Sequence, residues 1–499
     1  MKLLHDIVAD AAVTAPDRIA VLTDVRAADA AASWTFAEFD RRIRCAASWF
    51  ATHLPPGETV AVIADNSADY AVLYYAVPRS GRVLTLINQR LNPAEQAAQL
   101  DVARPALILG DAKYLNVLPD GVGLRMTLTS PPWHAAMTEN SACTESVHPD
   151  DPAWALFTSG STGVPKHVVH SHRSILAAVR GGIEGRSVPP AGVYLLPFPL
   201  CHIAGYNMVI HHAVAATVVL TSRFRPDSFV SLVNSHAVTS CSLAPTMLHA
   251  LLAHLTDTGT DLPTLRSVAY GSAAIPLDLL RRAIDVLGVD FQQGYGMTET
   301  AGNVTFLGPD EHRAGARGAT AILGGAGRPH SGVEIDIVDA AGRPLPIGTV
   351  GEIVVRGAQV MPGAEEWLRT GDVGRLDDDG RLYVVDRLKD VIVTGGENVS
   401  SREIEDVLST HPDVDMVAVV GVPDDYWGES VCAVVVPAPG SQPDPRALID
   451  HVRAGCADFK RPRTVLFVAD LPMTSNGKVA KNRVRDYARS TVADRPRNR

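Results

Sequence analysis

The chain has 499 residues, a length too great for a single hydrophobic core, so two or three domains are predicted. Its 46% hydrophobic and 20% charged residues are typical of a soluble globular protein. The formal net charge of −10 argues against nucleic acid and acidic membranes as partners, because both attract basic surfaces.

Six scattered cysteines without a Cys-x-x-Cys pair argue against a zinc site or a disulfide framework and favour a reducing, cytoplasmic location. The most apolar tract, 208–220, is too short to span a bilayer, so no transmembrane segment is predicted.

The first part of the chain alternates apolar runs with helical segments. The apolar runs predict strands at 59–64, 82–86 and 106–109, and the segments between them predict helices at 68–79 and 93–100. Alternation of this kind is typical of a parallel, doubly wound α/β sheet.

The same alternation resumes after residue 172 and predicts a second α/β sheet. The predicted elements are a helix at 173–182, a strand at 193–196, a helix at 204–215, a strand at 217–220, helices at 226–235 and 245–255, and strands at 267–270 and 290–293.

The pattern changes near residue 327, where short alternating strands at 333–338 and 352–356 predict a small β subdomain. After residue 386 a compact α/β unit is predicted, with a helix at 401–409, strands at 414–420 and 431–437, a helix at 445–454 and a strand at 464–468. We therefore predict an N-terminal domain over 1–386 and a smaller C-terminal domain over 387–499.

A polar, glycine-rich loop follows the apolar run 153–157. Its glycines, Gly160 and Gly163, allow successive backbone N–H groups to converge on an anion. Its hydroxyl donors and its cation are Thr158, Ser159, Ser161, Thr162 and Lys166. This combination predicts a polyphosphate-binding loop, although Pro165 and His167 around the lysine exclude a Walker A motif. A flexible surface loop without function is the alternative.

Two further polar groups lie at predicted strand ends, where doubly wound folds bind ligands. The turn from Tyr295 to Thr300 includes Glu299, whose carboxylate could hold a Mg²⁺ ion that bridges phosphates. Small residues from Gly271 to Ala274 follow another strand and would let a flat ring approach the backbone. A solvated turn is the alternative for the first group and an ordinary strand-to-helix turn for the second.

The C-terminal third adds a carboxylate, Asp372, and a guanidinium, Arg387, that suit ribose hydroxyls, and Lys478 after a polar turn. A surface ion pair and a solvated lysine are the alternatives, and such pairs contribute little to stability.

Taken together and in this order, the motifs resemble the adenylate-forming (AMP-binding) superfamily, in its branch of acyl-CoA synthetases and fatty-acid–CoA ligases. The resemblance covers essentially the whole chain. It implies that the segment from Thr158 to Lys166 is the phosphate loop. The implied ATP-binding set also includes Gly271, Ser272, Ala273, Tyr295, Gly296, Thr298, Asp372 and Arg387.

The resemblance also implies the remaining roles. Lys389 is the hinge of a mobile C-terminal domain; Gly395, Gly396 and Glu397 contact CoA; Glu299 holds the metal; and the acyl pocket contains His202, Gly205, Tyr206 and Gly294. The implied catalytic residues are Lys478, Glu299, Thr158 and His202.

The implied reaction joins a carboxylic acid to CoA through an acyl-adenylate, with ATP, Mg²⁺ and CoA. No acidic residue lies between Leu200 and Gly205 to bind an ammonium group, and the tract 204–216 has few polar groups before His211. A fatty or other bulky apolar acid is therefore expected, with Gly205 lining its cavity. Transfer to a carrier-protein pantetheine and a non-catalytic nucleotide sensor stay open, as does a homodimer.

Two departures from the superfamily pattern are visible. His167 follows Lys166 where glycine is usual, and the segment 357–369 is shorter than usual before Thr370-Gly371-Asp372. The effect of the shortening is not predictable from the sequence.

Overall fold

The computed structural model of the chain describes residues 2–23, 33–119, 121, 123–138, 146–158, 165–271, 275–474 and 478–493. Within these residues the helices are α1 (Asp6–Thr14), α2 (Phe36–His53), α3 (Ala68–Arg79), α4 (Pro93–Ala103), α5 (Ala112–Leu115), α6 (Pro131–Ala136), α7 (His172–Arg186), α8 (Tyr206–His212), α9 (Pro226–Ser235), α10 (Pro245–Thr258), α11 (Leu277–Leu287), α12 (Pro309–Ala316), α13 (Ser401–Leu408), α14 (Pro445–Gly455) and α15 (Lys481–Ala493). Short 3₁₀ helices lie at Ile203–Gly205, Thr298–Thr300, Thr320–Gly324 and Asp458–Lys460.

The strands in the same part of the chain are β1 (Ile19–Thr23), β2 (Ser33–Thr35), β3 (Thr59–Ile63), β4 (Val83–Leu86), β5 (Leu107–Gly110), β6 (Leu124–Thr127), β7 (Pro152–Thr158), β8 (Lys166–Ser171), β9 (Val193–Leu196), β10 (Thr217–Leu220), β11 (Ser240–Leu243), β12 (Ser267–Gly271), β13 (Asp290–Met297), β14 (Gly302–Leu307), β15 (Arg328–Pro329), β16 (Val333–Val338), β17 (Gly351–Gly357), β18 (Leu368–Leu376), β19 (Leu382–Arg387), β20 (Ile392–Thr394), β21 (Glu397–Val399), β22 (Val414–Asp424), β23 (Gly428–Pro437) and β24 (Thr464–Phe467).

Two large sheets confirm the predicted doubly wound architecture. The nine-stranded sheet has the order β15-β14-β13-β12-β11-β9-β10-β1-β2, and its six central strands, β13 to β1, are parallel. The six-stranded sheet has the order β6-β5-β3-β4-β7-β8, with only β8 antiparallel. Parallel strands in a continuous apolar run, such as β3, need cover on both faces, and helices provide it.

Helices α3, α7 and α8 lie between the two large sheets. Helix α3 is buried from Tyr70 to Pro78 and contacts β4 and β7 of one sheet and β1 of the other. Asn66, just before α3, fixes the loop that leads to His202: its amide donates to the carbonyls of Phe198 (2.8 Å) and Thr221 (3.0 Å), and its carbonyl accepts from the N–H of Leu200 (2.8 Å). Because α3 is packed between the sheets, Asn66 is held in place, and its hydrogen bonds position the loop before His202, a predicted part of the acyl pocket.

The β subdomain and the C-terminal unit are also as predicted. Strands β16-β17-β18-β19 form an antiparallel four-stranded sheet. The C-terminal sheet joins β21, β20, β23 and β22, with β24 added in parallel to β23, and α13 and α15 pack on β22. The fold class is confirmed, while the exact boundary at 386/387 stays a prediction.

Three local predictions need correction. The strand expected at 290–293 continues to Met297, because pairing with β14 extends through Tyr295–Thr305 and Met297–Gly302. The helix expected at 204–215 is a 3₁₀ turn followed by α8, which ends at His212. Helix α15 is absent from the prediction, since its sequence is polar except for a narrow stripe that buries Val484 and Ala488.

Candidate active site

The predicted phosphate loop joins the antiparallel strands β7 and β8, and Thr158 at the end of β7 pairs with Lys166 at the start of β8. The intervening Ser159, Gly160, Ser161, Thr162 and Gly163 lie outside the described residues. His167 stacks on Phe157 across the strand pair, with ring centroids 4.8 Å apart and planes 22° apart. Burial lowers the pKa of His167, and the histidine at this position packs its ring on Phe157.

The turn that carries Glu299 follows β13 and is held from two sides. The Nε2–H of buried His170, on β8, donates to the carbonyl of Thr298 at 2.7 Å, and the N–H of Met361 donates to the carbonyl of Glu299 at 2.9 Å. Burial lowers the pKa of His170 to about 4, so the imidazole is neutral near pH 7. The loop strand β8 and the Glu299 turn are therefore directly coupled.

The shortened segment 357–369 supports the same turn through Gln359. This residue is fully buried, and its amide donates to the carbonyls of Thr300 (2.9 Å) and Asn303 (3.0 Å). Its carbonyl accepts from Nε2 of His330 at 2.6 Å, while Nδ1 of His330 accepts from the N–H of Gly332. The segment thus fixes the backbone at the end of the turn and just after it.

The carboxylate of Glu299 suits a shared Mg²⁺ ion. Glu299 is half-buried, and no hydrogen bond or ion pair to another described residue engages its side chain. No cluster of three potential metal ligands exists in the part of the chain that the structure describes. A single carboxylate with substrate phosphates is a usual Mg²⁺ environment, so the residue fits the ion.

Four residues that are distant in sequence meet at the junction of the two predicted domains. The hydroxyl of Tyr295 donates to Oδ2 of Asp372 at 2.8 Å, and Nε of Arg387 lies 3.4 Å from Oδ1 of Asp372. Asp372 and Arg387 are paired directly across β18 and β19. Lys478, from the C-terminal unit, interacts electrostatically with both Asp372 and Arg387.

Burial sets the electrostatics of this cluster. It raises the pKa of Asp372, against the opposing effects of Arg387, Tyr295 and Lys478. Burial, followed by the Asp372 charge, raises the pKa of Tyr295 well above its usual value, so the phenol stays a donor. Burial of the Lys478 ammonium and repulsion from Arg387 lower its pKa to about 8, although Asp372 acts in the opposite direction. Lys478 therefore titrates in an accessible pH range.

Three predicted glycines mark close contacts at the ends of β12 and β13. Gly271 and Gly294 are register partners, and a Cβ on Gly271 would overlap the carbonyl oxygen of Gly294. A Cβ on Gly294 would meet the amide of Asn303, and one on Gly296 would overlap the backbone of Gly302. Ser272 and Ala273 lie outside the described residues.

The expectation that Gly205 lines an open cavity is not supported by its surroundings. Gly205 is buried, and a Cβ there would overlap the hydroxyl of Tyr74, which donates to the carbonyl of Leu200. A larger residue at 205 would disrupt packing of α3 rather than fill an acyl pocket. His202 is half-buried immediately before the 3₁₀ turn.

The tract after Gly205 is more polar than the sequence indicated. Arg186, at the end of α7 and 7% exposed, donates to Oδ1 of Asn207 (2.8 Å) and Oδ1 of Asn303 (2.7 Å), and contacts the hydroxyl of Tyr206 at 3.3 Å. The Tyr206 hydroxyl also donates to Asn303. Arg186 and Asn303 were not among the predicted site residues, because only tertiary contact brings them to Tyr206.

The predicted hinge and CoA contacts are exposed. Lys389 lies in the exposed turn between β19 and β20. Gly395 and Gly396 form the two-residue turn between β20 and β21 with φ values of 59° and 85°, which a left-handed hairpin turn requires. Glu397 is exposed beside them. Within the described residues, no hydrogen bond or ion pair joins them to Tyr295, Asp372, Arg387 or Lys478.

Hydrogen bonds tie β19 to the start of α13 across the predicted hinge. Oδ2 of buried Asp386 accepts from the N–H (2.6 Å) and hydroxyl (2.8 Å) of Ser401, and the Arg402 guanidinium donates to the carbonyl of Val384 at 3.0 Å. Rotation about Lys389 would break these bonds.

No helix in the described ranges is long and apolar enough to cross a membrane. The five cysteines in those ranges are free thiols.

Comparisons with known proteins give one family. A profile described as AMP-binding enzyme matches residues 8–363, and one described as AMP-binding enzyme C-terminal domain matches residues 403–478. A feruloyl-CoA synthase from Amycolatopsis sp is 34% identical, with 90% of this chain and 93% of the relative covered. A fatty acid–acyl-carrier-protein ligase from Streptomyces coeruleorubidus is 32% identical, with coverage of 87% and 88%.

The solved structure of an amide bond synthetase from Marinactinospora thermotolerans superposes with a TM-score of 0.87. It is 32% identical, and the superposition covers 97% of this chain and 99% of that one. This chain aligns with all three proteins over most of their length, while their names specify three different products: a feruloyl-CoA thioester, a fatty acid joined to an acyl-carrier protein, and an amide bond.

Proposed function

We propose that this chain, which belongs to the AMP-binding enzyme family, is an ATP-dependent carboxylate–CoA ligase that forms an acyl-adenylate and then an acyl-CoA thioester. The observation that carries the proposal is the cluster of Tyr295, Asp372, Arg387 and Lys478. Its members come from two different sheets and a loop of the C-terminal unit. The cluster places a carboxylate and a guanidinium that suit ribose hydroxyls next to the ammonium group of Lys478.

In the first half-reaction, the substrate carboxylate oxygen attacks the α-phosphorus of ATP, and pyrophosphate leaves. The Asp372 side chain accepts hydrogen bonds from the ribose hydroxyls, and the Tyr295 hydroxyl holds the Asp372 carboxylate in orientation. Charged Lys478 stabilises negative charge on the α-phosphate oxygens in the transition state. No general base is needed, because the attacking carboxylate is ionised near pH 7.

We assign Mg²⁺ binding to Glu299, supported by its carboxylate, which no other described residue engages, and by the bonds that His170 and Gln359 make to its turn. When bound, the ion would neutralise charge on the phosphate oxygens. Thr158 and Lys166, at the two ends of the phosphate loop, are proposed to donate to the same phosphates.

In the second half-reaction, the CoA thiol sulfur attacks the acyl carbonyl carbon, AMP leaves, and the thiol proton is released. We propose that the C-terminal domain, 387–499, rotates about Lys389, so that Lys478 leaves and the turn at Gly395, Gly396 and Glu397 approaches the adenylate. The exposure of that turn and the interaction of Lys478 with Asp372 support this order.

The acid is proposed to be bulky with a mostly apolar body, bound beside His202, Tyr206 and Gly294. Free CoA is proposed as the acceptor, and the Gly-Gly turn of β20–β21 supports a narrow pantetheine tunnel. Transfer to a carrier-protein pantetheine is the second candidate, favoured by similarity to the acyl-carrier-protein ligase. The free cysteines support a reducing, cytoplasmic location.

A panel of carboxylic acids with Mg-ATP tests the proposal, with pyrophosphate, AMP and thioester measured separately. We expect pyrophosphate with suitable acids alone, and AMP plus acyl-CoA when CoA is added. Pyrophosphate formation with thioester only on a carrier protein would favour the second candidate. No acid-dependent ATP–pyrophosphate exchange would leave a nucleotide-binding sensor as the better explanation.

A further inference from the structure

The cluster of Arg186, Asn207, Asn303 and Tyr206, here called the arginine cluster, holds a buried cation. Arg186 forms no ion pair with a carboxylate of the described residues, and its acceptors are two amide oxygens and a phenol hydroxyl. Burial of an unpaired charge is costly, and hydrogen bonds to neutral groups offset only part of that cost. The cluster therefore has capacity for a negative partner.

Arg82 provides a contrast within the same protein. It is fully buried, and it donates to the carbonyls of Ala51 and Leu54 at the end of α2 and of Ser80 at the end of α3. Two helix C-termini supply negative potential there, so backbone carbonyls offset part of the charge. The acceptors of Arg186 are instead side chains, and amides can donate as well as accept when they rotate.

The arginine cluster adjoins the proposed acyl pocket. The Cβ position of Gly294 faces the amide of Asn303, and that of Gly302 faces the ring of Tyr206. Tyr206 and Gly294 belong to the proposed acyl pocket, and Arg186 contacts Tyr206 directly. Asn303 therefore lies between Gly294 of β13 and the Arg186 guanidinium.

A small cavity adjoins Arg186. Its volume is about 20 Å³, and its polar lining includes Arg186, Tyr194, His211, Ser240 and Gln292. Burial lowers the pKa of His211 to about 3, and its ring stacks on Tyr194 with centroids 3.7 Å apart, so it is neutral. Among the described lining residues, Arg186 is thus the only charged group.

We propose that the arginine cluster is a specificity subsite for acids that carry a second, anionic oxygen acceptor at the end remote from the reacting carboxylate. This rests on the proposed function and sharpens it: the body of the acid is apolar, but its far end is not. A guanidinium suits a carboxylate because its parallel N–H groups can donate to both oxygens. Asn207 and Asn303 then hold the guanidinium and contribute to the same group.

Length-matched acid pairs test the subsite. The pairs are α,ω-dicarboxylates against monocarboxylates from six to twelve carbons, and terephthalate against 4-methylbenzoate. We expect the wild-type enzyme to favour the acceptor-bearing member of at least one pair in kcat/KM, roughly tenfold or more, because a site built for polar partners rejects analogues that lack them. Equal use of both members, or preference for the apolar member in every pair, would overturn the subsite.

Arg186→Met and Arg186→Lys then separate recognition from folding. Arg186→Met should abolish the preference and leave KM for ATP unchanged, while Arg186→Lys should keep part of it through charge alone. Arg82→Met is the matched control, since it removes another buried guanidinium and should lower Tm without changing the pair ratio. An unchanged ratio in folded Arg186 variants would contradict the proposal.

A binding readout distinguishes the subsite from the ligase assignment. The Tm of the protein with ATP is measured with each acid of a pair, since a ligand that binds only the folded state raises it. If no acid is activated but dicarboxylates raise Tm in the wild type and not in Arg186→Met, the ligase proposal fails and the subsite stands. If acids are activated without any pair difference in rate or Tm, the subsite fails and the ligase proposal stands.

Discussion

Because the pKa of Lys478 is lowered, we expect the rate of adenylation to fall at alkaline pH, and we call this fall the alkaline limit. Substitution of charged neighbours of Lys478 should shift the pH of this limit up or down. With a pKa of about 8, Lys478 is charged in about nine-tenths of molecules at pH 7 and in about one-tenth at pH 9. If the charged form stabilises the transition state, kcat/KM for pyrophosphate release should fall about tenfold per pH unit above pH 8, because this parameter reports groups of the free enzyme.

Two neighbours set the direction of the shift. Arg387→Gln removes a repelling charge, so the pKa of Lys478 should rise and the limit should move to higher pH; Asp372→Asn removes an attracting charge and should move it to lower pH. A unit charge about 6 Å away at an effective dielectric of about 40 contributes about 1.4 kcal/mol, or one pKa unit. Because Arg387 is exposed, screening reduces its effect, and shifts of about half a unit to one unit are expected.

The assay is ATP–pyrophosphate exchange from pH 7 to 10, with recovery after return to pH 7.5 as the control for inactivation. Lys478→Arg is the matched variant, since a guanidinium stays charged over this range and should remove the limit even if the rate is lower. A limit near pH 8 that persists in Lys478→Arg, or that moves in the same direction in both neighbour variants, would refute the assignment.

Three further predictions concern the supports of the site. Lys389→Pro should preserve pyrophosphate release in single turnover and abolish thioester formation, because proline fixes φ at the hinge; full turnover at the wild-type rate would place the hinge elsewhere. Gln359→Leu should lower Tm and raise KM for Mg-ATP, since it leaves two carbonyls and His330 without partners at about 1–3 kcal/mol each; an unchanged KM would mean the turn is held without it. Ser401→Ala should speed thioester formation from supplied acyl-adenylate by removing the hydroxyl bond to Asp386 that rotation must break; a slower second step would mean that this bond persists through the motion.

The family resemblance was predictable because its motifs are short and contiguous. Apolar runs such as β3 and β16 gave the strands at their observed positions, and both family matches confirm the assignment drawn from the motifs. The strand β13 was predicted too short because Tyr295-Gly296-Met297 has the composition of a turn, while its pairing with β14 is set by a partner that sequence patterns do not reveal.

The interior of the acyl pocket was not predictable, for a physical reason. A glycine at position 205 indicates free space in the pocket only if no other side chain fills that space. The Tyr74 side chain, from α3, fills it. Arg186 ends an ordinary amphipathic helix, and its contacts to Asn207 and Asn303 depend on how α7 packs against α8 and β14. The roles assigned to the site residues, including those of the undescribed loop 159–164, stay predictions.

The measurement that tests the two-step ligase most directly compares both half-reactions in Lys478→Ala. Acid-dependent ATP–pyrophosphate exchange should fall by about 10²–10³, because a charge contact made mainly in the transition state is lost. Thioester formation from supplied acyl-adenylate and CoA should largely survive, since Lys478 is then away from the reacting atoms. An equal loss in both half-reactions, or unimpaired exchange, would contradict the proposed role of Lys478 and the alternation of the C-terminal domain.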